Sequence, residues 1–308
     1  LVLFEGEEKK IDALEKAVQY WRENGEGTIL YPIKLANLRK LPGMPYSYWI
    51  SKSLVELFGK YPPLDKDAAR KPQEQRIADL KQGLASGDNY RFLRRFWEVE
   101  QDSIGHHKRW APHAKGGGKF YAERDLLINW ENDGEGYHGR TTQFSCLITG
   151  NRYDYMYRPG LTWEFIVSTI WLEVSLLPEN VIFSVASQGF FPAKSEYKLP
   201  LLGWGNSSLA AYLFVALDPL MHCRHVGYVS KLPVAKHILE SSKLGMLAKE
   251  AYDILTEWAT GNEVSTLFIK PWLLQTLHDI DSSERPTTQH PLAKQFEWSD
   301  WEFSKKIR

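Results

Sequence analysis

The sequence predicts an α+β protein, a β-rich core with helical segments on both flanks, and three observations carry the prediction. Apolar residues recur at helical spacing over 7–23 and again over 234–260. Between about 77 and 233 they fall instead into short runs divided by Gly, Asn and Pro, the pattern of strands and turns. With 308 residues, 43% of them apolar, the chain is long enough for one large core or two modest ones.

In the first helix Ile11, Leu14, Val18 and Trp21 share one face, and Gly25 and Gly27 punctuate its end. After Pro32 and the turn Leu41-Pro42-Gly43, a second helix is expected over 46–58, stopping near Gly59 and Pro62-Pro63. Residues 60–75 are polar and proline-punctuated and read as a connector. A helical N-terminal segment therefore takes up 1–75, a β-rich domain 76–233 and a helical C-terminal segment 234–308. The apolar runs at 126–130, 166–171 and 181–185 are the expected strands. One short helix is expected among them: Leu209, Ala210, Leu213 and Phe214 share a face, and Asn206 or Ser207 can accept a hydrogen bond from its first turn. Leu244, Leu247, Ala248, Ala251, Leu255 and Trp258 mark the long last helix, with an interruption expected near Gly245.

Composition narrows the function classes. Lys plus Arg and Asp plus Glu both total 38, so attraction to phosphate has to come from local clustering. Two cysteines, Cys146 and Cys223, are too few for a disulfide framework or a thiolate zinc site, which fits a reducing cytoplasm. No apolar stretch reaches the roughly 18 residues of a spanning helix, so membrane insertion is not expected. The chain starts without methionine and stops on Lys305-Lys306-Ile307-Arg308, and reads as a piece of a longer polypeptide. No Gly-x-Ser-x-Gly element occurs and neither cysteine has a nucleophile's setting, so no catalytic residue is assigned. His106, His107 and His113 are not assigned to a metal either, because adjacent histidines diverge on regular structure and no carboxylate motif completes them.

One stretch does concentrate chemistry. Between residues 91 and 124 stand eight cations, at 91, 94, 95, 108, 109, 115, 119 and 124, against the four acids Glu98, Glu100, Asp102 and Glu123. The three histidines add pH-dependent charge, and Phe92, Phe96, Trp97, Trp110, Phe120 and Tyr121 are interleaved. Cations that contact phosphates, beside rings that stack on bases, are the needs of a nucleic-acid groove, although a solvated face over core aromatics has the same composition. In Lys115-Gly116-Gly117-Gly118-Lys119 three residues without Cβ let backbone N–H groups approach an anion. The full phosphate-loop spacing is missing, so a DNA phosphate suits it better than a nucleoside triphosphate, and a plain surface turn fits equally. Asn129-Trp130-Glu131-Asn132-Asp133-Gly134 offers amides and carboxylates in a turn, groups that suit base edges and are also ordinary turn formers.

Taken in order, these motifs resemble the C-terminal half of the PglX family, the adenine-specific DNA methyltransferases of BREX phage-defence systems. The resemblance begins at Leu41-Pro42-Gly43-Met44-Pro45-Tyr46-Ser47-Tyr48-Trp49-Ile50-Ser51. It continues through residues 83–99 with Ser86-Gly87-Asp88-Asn89 at their centre, and through 110–120 with the glycine run. Ile128 to Gly134, Pro159-Gly160-Leu161-Thr162-Trp163, Leu201-Leu202-Gly203-Trp204-Gly205-Asn206-Ser207 and Leu232-Pro233-Val234 complete it. Residues 141–154 and Met221-His222-Cys223-Arg224-His225 depart from the family pattern.

In that family an N-terminal Rossmann-like domain binds S-adenosylmethionine, an Asn-Pro-Pro-Tyr motif holds the flipped adenine, and the region that follows recognises target DNA. Neither the tetrapeptide nor a glycine-rich cofactor loop after a strand occurs here. The resemblance therefore implies a cytoplasmic target-recognition portion that binds double-stranded DNA. It holds no cofactor of its own, S-adenosylmethionine being expected in a missing N-terminal domain. On this reading Arg91, Arg94, Arg95, Lys108, Arg109, Lys115, Gly116, Gly117 and Lys119 position DNA phosphates. Asn129, Asn132, Arg158, Gln188 and Arg224 are the candidates for base edges, arginine favouring guanine and amides adenine. The turn Gly87-Asp88-Asn89 supports the strand near the target base, which an adenine methylase must extrude.

Three other readings compete. The chain suits equally the recognition half of a restriction-modification enzyme. Its 12 tryptophans and turn carboxylates suggest a carbohydrate binder, and the helices at 7–23 and 234–260 could dock other phage-defence proteins.

Overall fold

Two four-stranded sheets organise the centre of the chain. The structure, a computed structural model, describes residues 7–25, 35–65, 76–135, 154–166, 168–218 and 223–275. The first sheet has β1 (Ala78–Lys81), β8 (Ser187–Pro192), β5 (Gly160–Glu164) and β6 (Val174–Leu177) in that spatial order, every pair antiparallel. The second has β2 (Leu93–Arg95), β4 (Leu126–Asn129), β3 (Trp110–Ala114) and β7 (Ile182–Phe183), with β3 and β7 parallel. With helices on both sides of them in sequence, the chain is α+β.

Alternation along the strands assigns the two faces of the first sheet. Leu80, Phe190, Leu161 and Trp163 enter one core with Leu201, Leu202, Trp204, Leu213 and Phe214. These last five come from helices α6 (Lys198–Gly205) and α7 (Ser208–Leu217). Phe191 and Leu177, from the opposite face, enter a second core with Ala111, Ile128, Ile182 and Phe183 of the second sheet. A sheet covered on both faces needs apolar or small residues at nearly every position, which is why its strands read as short runs rather than strict alternations. Leu64, before β1, and Val234 and Leu239, after the sheets, join the first core.

The run Gly203-Trp204-Gly205-Asn206-Ser207 is explained by packing. A Cβ on Gly203 would lie 2.8 Å from Leu244 Cδ1, and one on Gly205 2.6 Å from Val174 Cγ2. The Asn206 side chain donates from Nδ2 to the carbonyls of Val174 (2.7 Å) and Leu202 (3.0 Å), and its Oδ1 accepts from the Val174 N–H (3.1 Å). It thereby closes α6 and serves β6 as a strand neighbour would. Ser207 caps α7, its Oγ accepting from the Ala210 N–H at 3.2 Å.

The other helices expected from the sequence are found in place and differ at their ends, and the short helices at Leu35–Leu38 and Val226–Val229 are additional. α1 (Glu7–Asn24) and the short α2 (Leu35–Leu38) precede α3 (Lys52–Lys60), which starts at 52 rather than 46. Ser51 caps α3, and the segment before it is turned because Ser47 Oγ donates to the buried Ala216 carbonyl at 2.6 Å. After α8 (Val226–Val229), α9 (Lys236–Leu239) and α10 (Ser242–Ala259) are separated at 240–241, not at Gly245. Ser241 Oγ takes the Leu244 N–H and starts the new helix, while Gly245 packs within it against Pro200. The apolar run at 166–171 makes bends among its described residues, not a strand.

The chain divides into two compact units, Leu1–Tyr252 and Asp253–Arg308. In the second, Trp258 and Trp272 stack with ring centroids 5.4 Å apart, and Trp272 Nε1 donates to the Trp258 carbonyl. The divergent residues 141–153 and 219–222, the connector residues 66–75 and the last residues, 276–308, lie outside the described residues. Among those described, no single helix is long and apolar enough to cross a membrane. α6 with the turn before it and α7 pass together on length and composition, but they bend by 78° and are mostly buried in the first core.

Candidate nucleic-acid interface

The site grows from the turn before β2. Gly87 takes φ +70°, a conformation that favours glycine, and Asp88 then caps α4 (Asn89–Phe92) by accepting the Arg91 N–H at 3.0 Å. The helix ends directly in the edge strand β2, so Arg91, Arg94 and Arg95 emerge within a few residues of one another. Arg94 donates from Nη1 to the carbonyls of Tyr90 (2.7 Å) and Leu93 (2.6 Å). Its guanidinium lies 5.9 Å from the centre of the Trp110 ring, and that of Arg109 lies 5.8 Å from the same ring. Arg91 sits over Phe92 at 4.9 Å. Arg95 sits by Trp97 at 5.7 Å and is ion-paired with Asp125. Each guanidinium thus rests near an aromatic face, which holds a flexible cation at the surface at low entropic cost.

Strand register brings two amide candidates to the same place. Asn129 on β4 is paired with Trp110 on β3, and its Oδ1 accepts the Glu131 N–H at 3.2 Å as α5 (Glu131–Gly134) begins. Asn132 and Asp133 both take φ +53°, and Gly134 is tight against Trp130, where a Cβ would meet the ring at 2.8 Å. Asp133 Oδ1 lies 3.1 Å from His107 Nδ1, so the turns that carry exposed Asn132 and exposed Lys108 meet there. His106 packs on Tyr157 with centroids 4.3 Å apart. Arg158 is exposed but lies over Tyr155 at 4.8 Å and near Phe191.

The glycine loop is joined to the turn and occupied from within. Lys115 Nζ donates to Asn89 Oδ1 at 2.7 Å, and burial pushes its ammonium below the usual lysine range. The Gly117 N–H donates to Glu164, and a Cβ at Gly117 would come within 2.6 Å of Glu164 Cβ. Burial and the nearby Glu173 push the Glu164 carboxyl up, against that hydrogen bond. Ser187 Oγ donates to the Gly116 carbonyl, and Lys119 Nζ stands 3.8 Å over the Trp171 ring. The N–H expected to meet a phosphate at Gly117 therefore meets the chain's own carboxylate.

Two base-edge candidates and one expected charge need correcting. Gln188 is 0% exposed on β8, opposite Trp163, and presents no surface to a base. Arg224 is equally buried, its Nε donating to the Trp171 carbonyl at 2.8 Å and Nη2 to that of Thr169, while its own carbonyl takes the Trp163 indole N–H. It ties down Thr169 and Trp171 in the non-strand stretch. His113 is buried against the Ile182 carbonyl, and desolvation lowers its pKa to about 3, so it adds no positive charge near neutrality. Arg124 is also buried, bonded to Ser175 Oγ and the Leu176 carbonyl. Among the described residues no group of three metal-ligating side chains converges.

One exposed group went unremarked in the sequence. Tyr90, between Asn89 and Arg91, is 91% exposed, a property that no residue pattern announces.

No family model matches the chain. It is 29% identical over 251 residues to the adenine-specific methyltransferase PglX of Lacticaseibacillus casei, covering 77% of this chain and 20% of that protein. It is 26% identical over 226 residues to the adenine-specific methyltransferase BrxX of Escherichia coli O9:H4, covering 71% of this chain and 17% of that one. The matched region is thus about a fifth of the length of these relatives.

Proposed function

We propose, from the premise that the chain is a fragment of the PglX and BrxX family of adenine-specific methyltransferases, that it is the part that grips target DNA while another domain transfers the methyl group. The observation that supports this best is the gathering of Arg91, Arg94 and Arg109 near aromatic faces, with Lys108, Asn129 and Asn132 beside them. Exposed cations fixed near rings suit phosphates, and amides next to them suit base edges. Arg91, Arg94, Arg95, Lys108 and Arg109 then take the backbone, and Asn129, Asn132 and Arg158 remain for the bases. Lys115 acts indirectly, bracing the Gly87-Asp88-Asn89 turn. The glycine loop does not fit a cofactor phosphate, since Glu164 fills it. S-adenosylmethionine, the family's methyl donor, carries no phosphate for that loop to hold, and its site is proposed to lie in the domain that transfers the methyl group.

The test is fluorescence polarisation with a labelled duplex between about 50 and 200 mM salt, where each phosphate contact contributes about 0.9 to the slope of log affinity against log salt. Arg91→Ala and Arg109→Ala should each weaken binding to any sequence and flatten that slope by about one contact. Lys236→Ala, on α9 and paired with Glu240, should change neither. An unaltered slope in both arginine variants would refute the interface.

A further inference from the structure

Arginines lie near three of the rings around β2, while Tyr90, in their midst, is far more exposed than any of these. Phe92 carries Arg91, Trp97 carries Arg95, and Trp110 has Arg94 and Arg109 near it. Tyr90 is 91% exposed, and no aromatic or cationic side chain of the described residues rests on its ring. Its backbone is nevertheless held on both sides. Asp88 caps the turn before it, Arg94 donates to its carbonyl, and Lys115 anchors Asn89 next to it. A fixed backbone with a ring projecting into water next to Arg91 presents a π face beside the cations proposed to hold phosphates.

Such a face is of use only to a partner with an uncovered face of its own. Within a duplex each base is covered above and below by its neighbours, so a side ring meets only edges and sugars. A base that has left the stack exposes both faces and gains from an aromatic platform. We infer that Tyr90 stacks on an unpaired base of the bound DNA, so that the ligand of this surface is a duplex locally opened rather than a smooth one. The inference rests on the DNA-interface reading above and adds to it the side chain on which a base out of the stack would rest.

The experiment compares two probes of one sequence, an intact duplex and the same duplex with a short mismatched bubble carrying 2-aminopurine. The whole 308-residue chain is used, as the unaltered protein and as Tyr90→Ala and Tyr90→Phe. Because the ring projects into water, neither change should move the thermal unfolding midpoint. Tyr90→Ala should weaken binding to the bubble by about 5- to 150-fold and abolish quenching of the 2-aminopurine. Binding to the intact duplex and its salt slope should stay as in the unaltered protein, and Tyr90→Phe should keep both affinity and quenching. Equal losses on the two probes, or no loss on the bubble, would overturn the inference while Arg91→Ala and Arg109→Ala still report on the interface. If the unaltered chain bound neither probe, the interface reading and this inference would fall together.

Discussion

Acid should weaken this fold through His113, and the size of the effect can be worked out. The imidazole sits on β3 opposite Ile182 of β7, buried, with Nδ1 3.1 Å from the Ile182 carbonyl. Nδ1 therefore carries the proton of the neutral ring and donates it. Burial foremost, then the charge on Lys115, lowers the pKa from 6.5 to about 3, with the hydrogen bond to Ile182 opposing. The folded state thus binds this proton far less readily than the unfolded chain. Its contribution to stability is complete above about 6.5 and is lost as the pH falls towards 3. One and a half pH units below the free-imidazole value, at roughly 1.4 kcal/mol per unit, comes to about 2 kcal/mol near pH 5. His113→Gln keeps an N–H for the Ile182 carbonyl and removes the titration. Urea unfolding of both proteins near pH 7 and pH 5 should show the stability difference moving by about 2 kcal/mol in the variant's favour on acidification. A difference that is the same at both pH values would refute the reasoning.

Two further outcomes follow from buried polar groups elsewhere. Asp65 accepts the Leu80 N–H, but burial foremost raises its pKa from 3.8 to about 6. Its sign is opposite to that of His113: the protonated form suits the fold, so stability from this group is present below 3.8 and lost as the pH rises through 6. Asp65→Asn should therefore raise the melting temperature near pH 7, with the gain fading towards pH 4 in the same scans, and no gain at pH 7 would count against it. Asn206→Ala removes three buried hydrogen bonds and orphans the Val174 N–H, for a loss of about 2–5 kcal/mol in denaturant unfolding, and a loss below about 1 kcal/mol would contradict the bracing role.

Much of the secondary structure could be read because it depends on neighbours three or four positions away. The periodicity of α1, the Ser207 cap of α7 and the β4 run at 126–129 act at that range. The structure departs from the local pattern where a distant residue intervenes. Ser47 reaching Ala216 delayed α3, and Arg224 reaching Thr169 and Trp171 kept an apolar run out of the sheets. Within the candidate site the motifs were visible, but their tasks were not. Asn89 and Lys115 belong to different motifs and meet only through the fold, and the glycine run looks like an anion cradle until Glu164 is found in it.

By itself the sequence determined the fold class, the helical flanks and the resemblance to adenine-specific methyltransferases, since composition, spacing and motif order are properties of the chain. The tertiary structure alone decided which cations and amides face water. Arg91 and Arg224 are the same residue type, as are the exposed His107 and the buried His113. Exposure is set by strands that pair across long stretches of chain, and whether a charge meets solvent or a carbonyl depends on which strand arrives beside it.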